Sequence, residues 1–229
     1  MTDSALRELA DDPSSRKRFF KMVGGVGVVG AFSVALAACG DDDDDDDSGA
    51  GASDSASDNA SDVEILNYAL TLEFLEAEFY EKVIAAGIVT DRAVVAIAQK
   101  FGESEQEHVD ALRATITQLG GTPVEAPETK FEETIDKGLM ATLETAATVE
   151  NLGAAAYLGQ AGNIKSKEVL ASALAIHTVE ARHAAALNIL VGRGFGDGSG
   201  GLEGALPDGA FAKPMTEEQV REAIKPFLA

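Results

Sequence analysis

Glu105-Gln106-Glu107-His108 and Glu180-Ala181-Arg182-His183 are the two stretches of this sequence that decide its fold. In each stretch, a glutamate stands three residues before a histidine. On an α-helix, side chains three residues apart lie on the same face, one turn above the other. Each stretch therefore predicts a helix that directs one carboxylate and one imidazole toward a common inward site.

A second pattern precedes each of these stretches. Glu73 is followed seven residues later by Tyr80, and Glu150 is followed seven residues later by Tyr157. Glu73 stands 32 residues before Glu105, and Glu150 stands 30 residues before Glu180. The two copies therefore predict two similar helix pairs that converge on one site.

The six glutamates and histidines have the composition of a two-metal site. Helical bundles that bind two metal ions use one glutamate from each of two helices and a Glu-x-x-His from each of the other two. Four carboxylates balance the charge of two divalent cations, and oxygen-rich ligation with one imidazole per ion favours iron or manganese over zinc. The carboxylates of the two Glu-x-x-His pairs are expected to bridge the ions. The predicted ligands of the two iron or manganese ions are Glu73, Glu105, His108, Glu150, Glu180 and His183.

The two tyrosines have two interpretations that the sequence leaves open. Seven residues are almost two helical turns, so Tyr80 lies nearly in line with Glu73, and Tyr157 lies nearly in line with Glu150. In one interpretation, each phenol hydrogen-bonds a ligand from the opposite half of the site. In the other, each is an aromatic core residue whose hydroxyl needs some partner.

Three further residues compete for a place in the site. Glu76 lies on the apolar stripe of the first helix, where a carboxylate is costly unless it is paired or bound to metal. Glu73 is preferred because its spacing to a tyrosine matches the second copy, which leaves Glu76 as a further ligand or a supporting residue. Glu144 is a weaker alternative on the third helix, and His177 is a third-choice ligand on the fourth.

The first helix pair is predicted from its end signals. Ser61-Asp62-Val63-Glu64 is a capping box, and the apolar residues that follow recur at intervals of three and four. Gly87 ends this first helix. A second helix begins near 90–91 and continues to Leu119, with Gly102 inside it as a predicted local bend.

The second helix pair follows a long connection at 120–133, which contains two prolines and two glycines. A third helix is predicted over roughly 134–161, and a fourth runs from a cap at Ser166 to Val191. Thr216-Glu217-Glu218-Gln219 starts a short terminal helix, and strand signals are absent from the sequence. The predicted fold class is all-α: a four-helix bundle with one long crossover, plus a short C-terminal helix.

The charge of the chain restricts its partners. The formal net charge is −21, and residues 40–62 contain ten aspartates and no lysine or arginine. A strongly acidic surface argues against nucleic acid, whose phosphates need lysine and arginine partners. It also argues against anionic lipid as an electrostatic ligand. We therefore expect no nucleic-acid partner.

The N-terminal segment has the layout of a secretory signal. Arg16-Lys17-Arg18-Phe19-Phe20-Lys21 precedes the 17 uncharged residues 22–38, which end in Leu36-Ala37-Ala38 before Cys39. This ending resembles the bacterial lipoprotein box, in which the cysteine is lipidated and becomes the mature N-terminus. The alternative is an ordinary transmembrane anchor, although 17 residues are short for a hydrocarbon core of ~30 Å.

Both interpretations of this segment place the domain outside the cytoplasm. We expect a lipoprotein held on the bacterial cell membrane through the lipidated Cys39. The stretch 15–21 also looks like a twin-arginine signal with lysine in the second arginine position. The sequence therefore leaves both Sec and twin-arginine export open.

The chain accordingly divides into four predicted segments. These are a signal peptide with a lipobox at 1–38, a disordered acidic tether at 39–61, a four-helix bundle at 62–191, and a C-terminal arm with a short helix at 192–229. The tether consists almost entirely of aspartate, serine, glycine and alanine. Because such a composition buries little apolar surface, disorder is expected there.

The twin pattern resembles the ferritin-like superfamily, especially rubrerythrins and bacterioferritins. The stretch 65–80, Ile-Leu-Asn-Tyr-Ala-Leu-Thr-Leu-Glu-Phe-Leu-Glu-Ala-Glu-Phe-Tyr, looks more specifically like bacterial ferritin-like domain proteins akin to plant desiccation-related proteins. The likeness covers about 63–191 and implies a four-helix bundle with a di-iron or di-manganese centre. Fold and site alone do not imply one reaction.

The leading functional hypothesis is a lipid-anchored, extracytoplasmic protein whose two metal ions react with dioxygen or peroxide, as in a ferroxidase, peroxidase or manganese catalase. Because the chain has one cysteine, it has no cysteine-ligated iron module, and any electron donor is external. The alternative is a non-catalytic stress or desiccation-related protein with structural or vestigial metal binding. Enzymatic activity and oligomeric state are left open, with a homodimer as one alternative.

Overall fold

The computed structural model describes residues 51–194, 204–206 and 209–229. Among these residues, an isolated β-bridge joins Thr129 and Leu228. The predicted all-α fold is confirmed. The helices are α1 (Gly51–Ala86), α2 (Arg92–Gln118), α3 (Glu132–Ile135), α4 (Leu139–Gln160), α5 (Lys167–Leu190) and α6 (Glu217–Ile224), followed by a 3-10 turn at Lys225–Phe227.

The chain divides into two compact units, Met1–Ala56 and Ser57–Ala229. Within the first unit, only residues 51–56 are described, and they belong to α1. The predicted signal peptide at 1–38, Cys39 and the tether up to residue 50 lie outside the described residues. All of the predicted metal ligands belong to the second unit.

The start of α1 differs from the prediction. The helix begins at Gly51 rather than at the expected capping box at 61–64, so the C-terminal part of the expected disordered tether is helical. Alanine, the strongest helix former, recurs through this part.

Asp62, which lies inside the predicted capping box, connects two helices instead of capping one. Its side chain is fully buried, and its two oxygens accept hydrogen bonds from the backbone N–H groups of Lys165 and Ser166, each at 2.8 Å. Ser166 is the N-cap of α5, as predicted, because its hydroxyl accepts from the N–H of Val169. Asp62 therefore ties α1 to the beginning of α5.

The predicted third helix is two helices in the structure. Gly138, at φ 95°, separates α3 from α4, and a side chain would be strained at that φ. The prediction missed this break because the apolar residues on both sides fit one helical period. The ligand-bearing part, α4, begins at Leu139.

The apolar core forms two clusters. One contains Phe79, Val83 and Leu152 and is extended by Val220 and Ile224 of α6. The other contains residues such as Leu70, Val109, Ile116 and Ile176. On α2 and α5, the predicted ligands lie between residues of the two clusters along the helix. The core therefore encloses the polar site from both ends.

The C-terminal segment packs on the bundle where it is described. The N–H of Met215 donates to the carbonyl of Ala155 in α4 at 3.1 Å. Thr216 and Gln219 form the predicted capping box of α6. Most of the arm between residues 195 and 208 lies outside the described residues. Among the helices that are described, none has the length and apolarity needed to cross a membrane.

Candidate metal centre

Five glutamates and two histidines are buried together in the second unit. Their exposed fractions lie between 0 and 7%. Glutamate is almost never fully buried unless it is paired or bound, so this concentration of carboxylates indicates a site and not ordinary packing. The seven residues are Glu73, Glu76, Glu105, His108, Glu150, Glu180 and His183.

One set of donor atoms surrounds His108. Its Nδ1 lies 3.1 Å from Oε2 of Glu73, 2.8 Å from Oε2 of Glu105 and 3.0 Å from Oε1 of Glu180. These four residues each offer one donor atom, and all of the donor atoms lie within 4.8 Å of one another. Such a set can hold one metal ion.

A second set surrounds His183. Its Nδ1 lies 2.8 Å from Oε1 of Glu105 and 3.3 Å from Oε2 of Glu150. With Glu180, these residues form a second group whose donor atoms lie within 4.8 Å of one another. The structure thus brings together all six residues that the sequence predicted as ligands.

Glu105 and Glu180 belong to both sets. Glu105 directs Oε2 toward His108 and Oε1 toward His183, so its two oxygens face different sets. A carboxylate in this position can bridge two cations. That the two Glu-x-x-His carboxylates bridge metal ions stays a prediction.

Several atoms of the site lack a hydrogen-bond partner among the described residues. Oε1 of Glu105 and Nδ1 of His183 are two of these atoms, although they lie only 2.8 Å apart. Oε2 of Glu150 and both oxygens of Glu180 are also unpartnered. Buried polar atoms are rarely left unsatisfied, and atoms that converge without bonding one another fit metal coordination. The residues present therefore fit a pair of metal ions.

The two tyrosines connect the halves of the site. The hydroxyl of Tyr80 donates a hydrogen bond to Oε1 of Glu150, and that of Tyr157 donates to Oε1 of Glu73 at 2.5 Å. Each phenol therefore holds the carboxylate of the opposite half. Of the two interpretations of the tyrosines, the geometry agrees with support of a ligand.

Gly102 allows α2 to approach Tyr80. A Cβ atom at position 102 would lie 2.9 Å from Cβ of Tyr80, which is closer than real Cβ atoms come. The helix continues through this position, and the glycine permits close packing against α1.

The imidazoles partly neutralise the carboxylates when no metal is bound. Burial lowers the pKa of His108, but the charge of Glu73 and contact with Glu105 outweigh it and raise the pKa to about 10. Burial likewise lowers the pKa of His183, but Glu105 and Glu150 outweigh it and raise the pKa to about 9. Both imidazoles therefore carry a second proton at neutral pH in the metal-free protein. Metal binding must displace these protons.

The two bridging carboxylates differ in their surroundings. Burial raises the pKa of Glu105, but its contacts with His108 and His183 outweigh this effect and lower the pKa to about 2. Burial and the negative charge of Glu105 raise the pKa of Glu180 well above its usual value. A cation beside Glu180 would favour its charged form and oppose this rise.

The alternative ligands lie outside both sets. His177 donates a hydrogen bond from Nδ1 to the carbonyl of Ala154 at 3.0 Å, and Glu144 is exposed. Glu76 is buried beside the site but belongs to neither set.

Sequence reasoning missed Phe101. Its ring stacks on His183, with centroids 3.7 Å apart and planes 22° apart. Phe101 precedes Glu105 by one helical turn, so a search of the flanking turns could have found it. The stacked ring fixes the orientation of the imidazole.

The repeat extends beyond the ligands. Arg113 lies over the ring of Phe74 at 5.9 Å, and at the corresponding positions of the second copy Asn151 donates a hydrogen bond to Asn188 at 3.2 Å. A cation–π contact in the first helix pair and a hydrogen bond in the second thus join equivalent positions. In both copies, the residue after the first glutamate therefore contacts the residue five positions after the histidine.

Comparison with known proteins gives one family. The family model described as "Ferritin-like domain" matches residues 61–193, which are more than half of the chain. No curated protein matches the chain. The matched range contains α2, α4 and α5, most of α1, and both donor sets. The chain therefore belongs to the ferritin-like domain family.

Proposed function

We propose that this protein binds a pair of iron or manganese ions and reacts with dioxygen or peroxide outside the cytoplasm. The observation that carries the proposal is the pair of donor sets that share Glu105 and Glu180. Each set has one imidazole and three carboxylates, and carboxylate-rich sets with imidazole suit iron and manganese.

The protein's own residues would bind and orient the ions. Glu105 and Glu180 would bridge them, His108 and Glu73 would complete one coordination set, and His183 and Glu150 the other. The buried tyrosines hold two of the carboxylates by hydrogen bonds, which restricts how far these ligands can move. The pair of ions would supply the electrons for reducing the oxidant.

Metal analysis tests the binding part of this proposal. The full-length chain would be loaded with ferrous or manganous ion, desalted and analysed, beside the variants Glu105→Ala and His183→Ala. The exposed Glu144→Ala is the matched control. We expect about two ions per chain in the wild type and the control, and a loss in both site variants. Fewer than about one ion per chain in folded wild type contradicts the proposal.

A second candidate is a non-catalytic protein in which the same residues are structural. The observation that favours it is the charge compensation between His108, His183 and the carboxylates, which allows a folded site without metal. Consumption of ferrous ion, dioxygen or peroxide by the metal-loaded protein separates the two candidates. Bound metal without any consumption, in the presence of an external electron donor, favours the structural role.

The location is also part of the proposal. Its support is the segment that ends in Leu36-Ala37-Ala38-Cys39 after a basic and an uncharged stretch. A lipid on Cys39 would attach the domain to the membrane, and the acidic stretch at 40–50 would separate the domain from the lipid surface by charge repulsion.

A further inference from the structure

The two halves of the site differ at one buried position. Three residues after Glu73, the first copy has Glu76, and three residues after Glu150, the second copy has Gly153. Both positions are buried. The first half thus contributes an additional carboxylate, where the second half contributes no side chain at all.

Gly153 provides the space that Glu76 occupies. A Cβ atom at position 153 would lie 2.7 Å from Oε1 of Glu76 and 3.5 Å from Oε2 of Glu180. At the first distance, the end of the Glu76 side chain must move to make room for a Cβ atom. The glycine therefore allows the carboxylate of Glu76 to approach Glu180, which belongs to both donor sets.

Glu76 has no structural partner that explains its burial. It is 2% exposed, and its Oε2 has no hydrogen-bond partner in the part of the chain that the structure describes. A buried, unpaired carboxyl group is destabilising. A cation beside Glu180 would supply the missing partner.

We propose that Glu76 is a seventh protein ligand of the metal pair, that Gly153 is the residue that makes room for it, and that the two ions consequently bind with unequal affinity. This inference rests on the proposed function, because it needs the metal pair. The fifth carboxylate increases the negative potential on the ion that it contacts, while the other ion keeps only its own set of donors.

The test is a metal titration that resolves the two binding steps. Manganous ion would be titrated into the chelator-treated full-length chain by calorimetry under anaerobic conditions. Glu76→Gln keeps the shape and removes the charge. Gly153→Ala keeps every donor residue and displaces the Glu76 carboxylate. Glu144→Gln removes an exposed carboxylate of α4 and is the matched control.

We expect two resolved steps in the wild type and in the control. Glu76→Gln and Gly153→Ala should each weaken one step by about tenfold or more, with little effect on the other. Thermal melting of the metal-free proteins excludes a folding defect as the cause. Glu76→Gln should melt no lower than wild type, because it removes a buried carboxyl group. Gly153→Ala should also melt no lower, because alanine is a better helix former than glycine.

If Glu76→Gln binds both ions as tightly as the wild type does, this inference is overturned and the proposed function stands. Two equal steps in the wild type would also overturn it. Failure of the wild type to bind any manganous ion would instead overturn the proposed function, and the inference with it. If Gly153→Ala does not fold, Glu76→Gln decides alone.

Discussion

At the scale of single residues, the site is defined by what surrounds each donor. Glu105 and Glu180 are chemically identical, but contacts with two imidazoles lower the pKa of the first, and burial near other carboxylates raises the pKa of the second. Several buried polar atoms of the site also lack a hydrogen-bond partner among the described residues. Oε1 of Glu105 and Nδ1 of His183, for example, lie 2.8 Å apart without forming a hydrogen bond.

Tyr157→Phe should weaken metal binding by about tenfold, because it removes the hydrogen bond to Oε1 of Glu73. Tyr68→Phe is a matched control, since the Tyr68 hydroxyl is buried and has no hydrogen-bond partner among the described residues. The measurement is manganous-ion titration of both variants beside the wild type. An equal loss of affinity in the two variants would contradict a specific role for Tyr157.

Raising the pH should destabilise the metal-free protein. The pKa of Glu180 is raised from 4.5, and the pKa values of His108 and His183 are raised from 6.5 to about 10 and about 9. The stability that these protonated groups contribute is complete below their unfolded pKa values and is lost as the pH rises through the raised ones. Glu105, whose pKa is lowered, loses its contribution only below 4.5.

Melting temperature measured from about pH 5 to about pH 9, with and without manganous ion, checks this expectation. The metal-free protein should melt progressively lower, and the metal-loaded protein should change less, so that the stabilisation by metal increases with pH. A stabilisation by metal that decreases over this range would contradict the assignment of these groups as ligands.

At the scale of helices, several glycines allow a neighbouring segment or side chain to approach the helix closely. Gly102 admits Tyr80, Gly153 admits Glu76, and a Cβ atom at Gly159 would lie 1.9 Å from the carbonyl oxygen of Met215. The last contact lies where the C-terminal segment crosses α4. At Gly102 and Gly159 the neighbouring atom is a Cβ or a backbone oxygen, so glycine at these two positions allows the close approach.

Gly159→Ala should destabilise the protein by about 1–3 kcal/mol, because the new methyl group displaces the C-terminal segment from α4. Gly162→Ala is the control, since a Cβ atom there would meet nothing within 4 Å. Chemical denaturation of both variants measures the difference. Equal stability of the two would show that the segment does not pack closely on α4.

The sequence predicted the elements whose signals are local. Ser166 and Thr216 cap their helices as expected, and the Glu-x-x-His spacing placed both pairs on inward faces. The predicted start of α1 was wrong, since the helix begins at Gly51 and not at 61–64, and the break at Gly138 was missed because the apolar period continues across it. The functions of Phe101 and Gly153 depend on neighbouring helices, so spacing along one helix could not predict them.

At the scale of the whole molecule, the sequence predicts an acidic domain that follows an export signal. The net charge of −21 and the ten aspartates of residues 40–62 agree with a domain that stands off an anionic membrane surface. The single cysteine stands where a lipid would be attached. The location therefore stays a prediction that Cys39 can test.

Cys39→Ser should move the protein from the membrane fraction to the soluble or unprocessed fraction in a bacterial host, because the thiol is the attachment point of the lipid. Ser48→Ala, nine residues further along the same segment, is the control. Fractionation with labelled fatty acid measures the effect. Retention of the variant in the membrane, processed and unlabelled, would favour a different anchor.

The central claim is that two ions share the carboxylates of Glu105 and Glu180. Electron paramagnetic resonance of the full-length chain loaded with about two manganous ions tests it most directly. Ions bridged by carboxylates should be magnetically coupled, and Glu105→Ala should abolish the coupled signal while Glu144→Ala leaves it unchanged. A spectrum of isolated manganous ions in the folded wild type, or no bound ion, would contradict the claim.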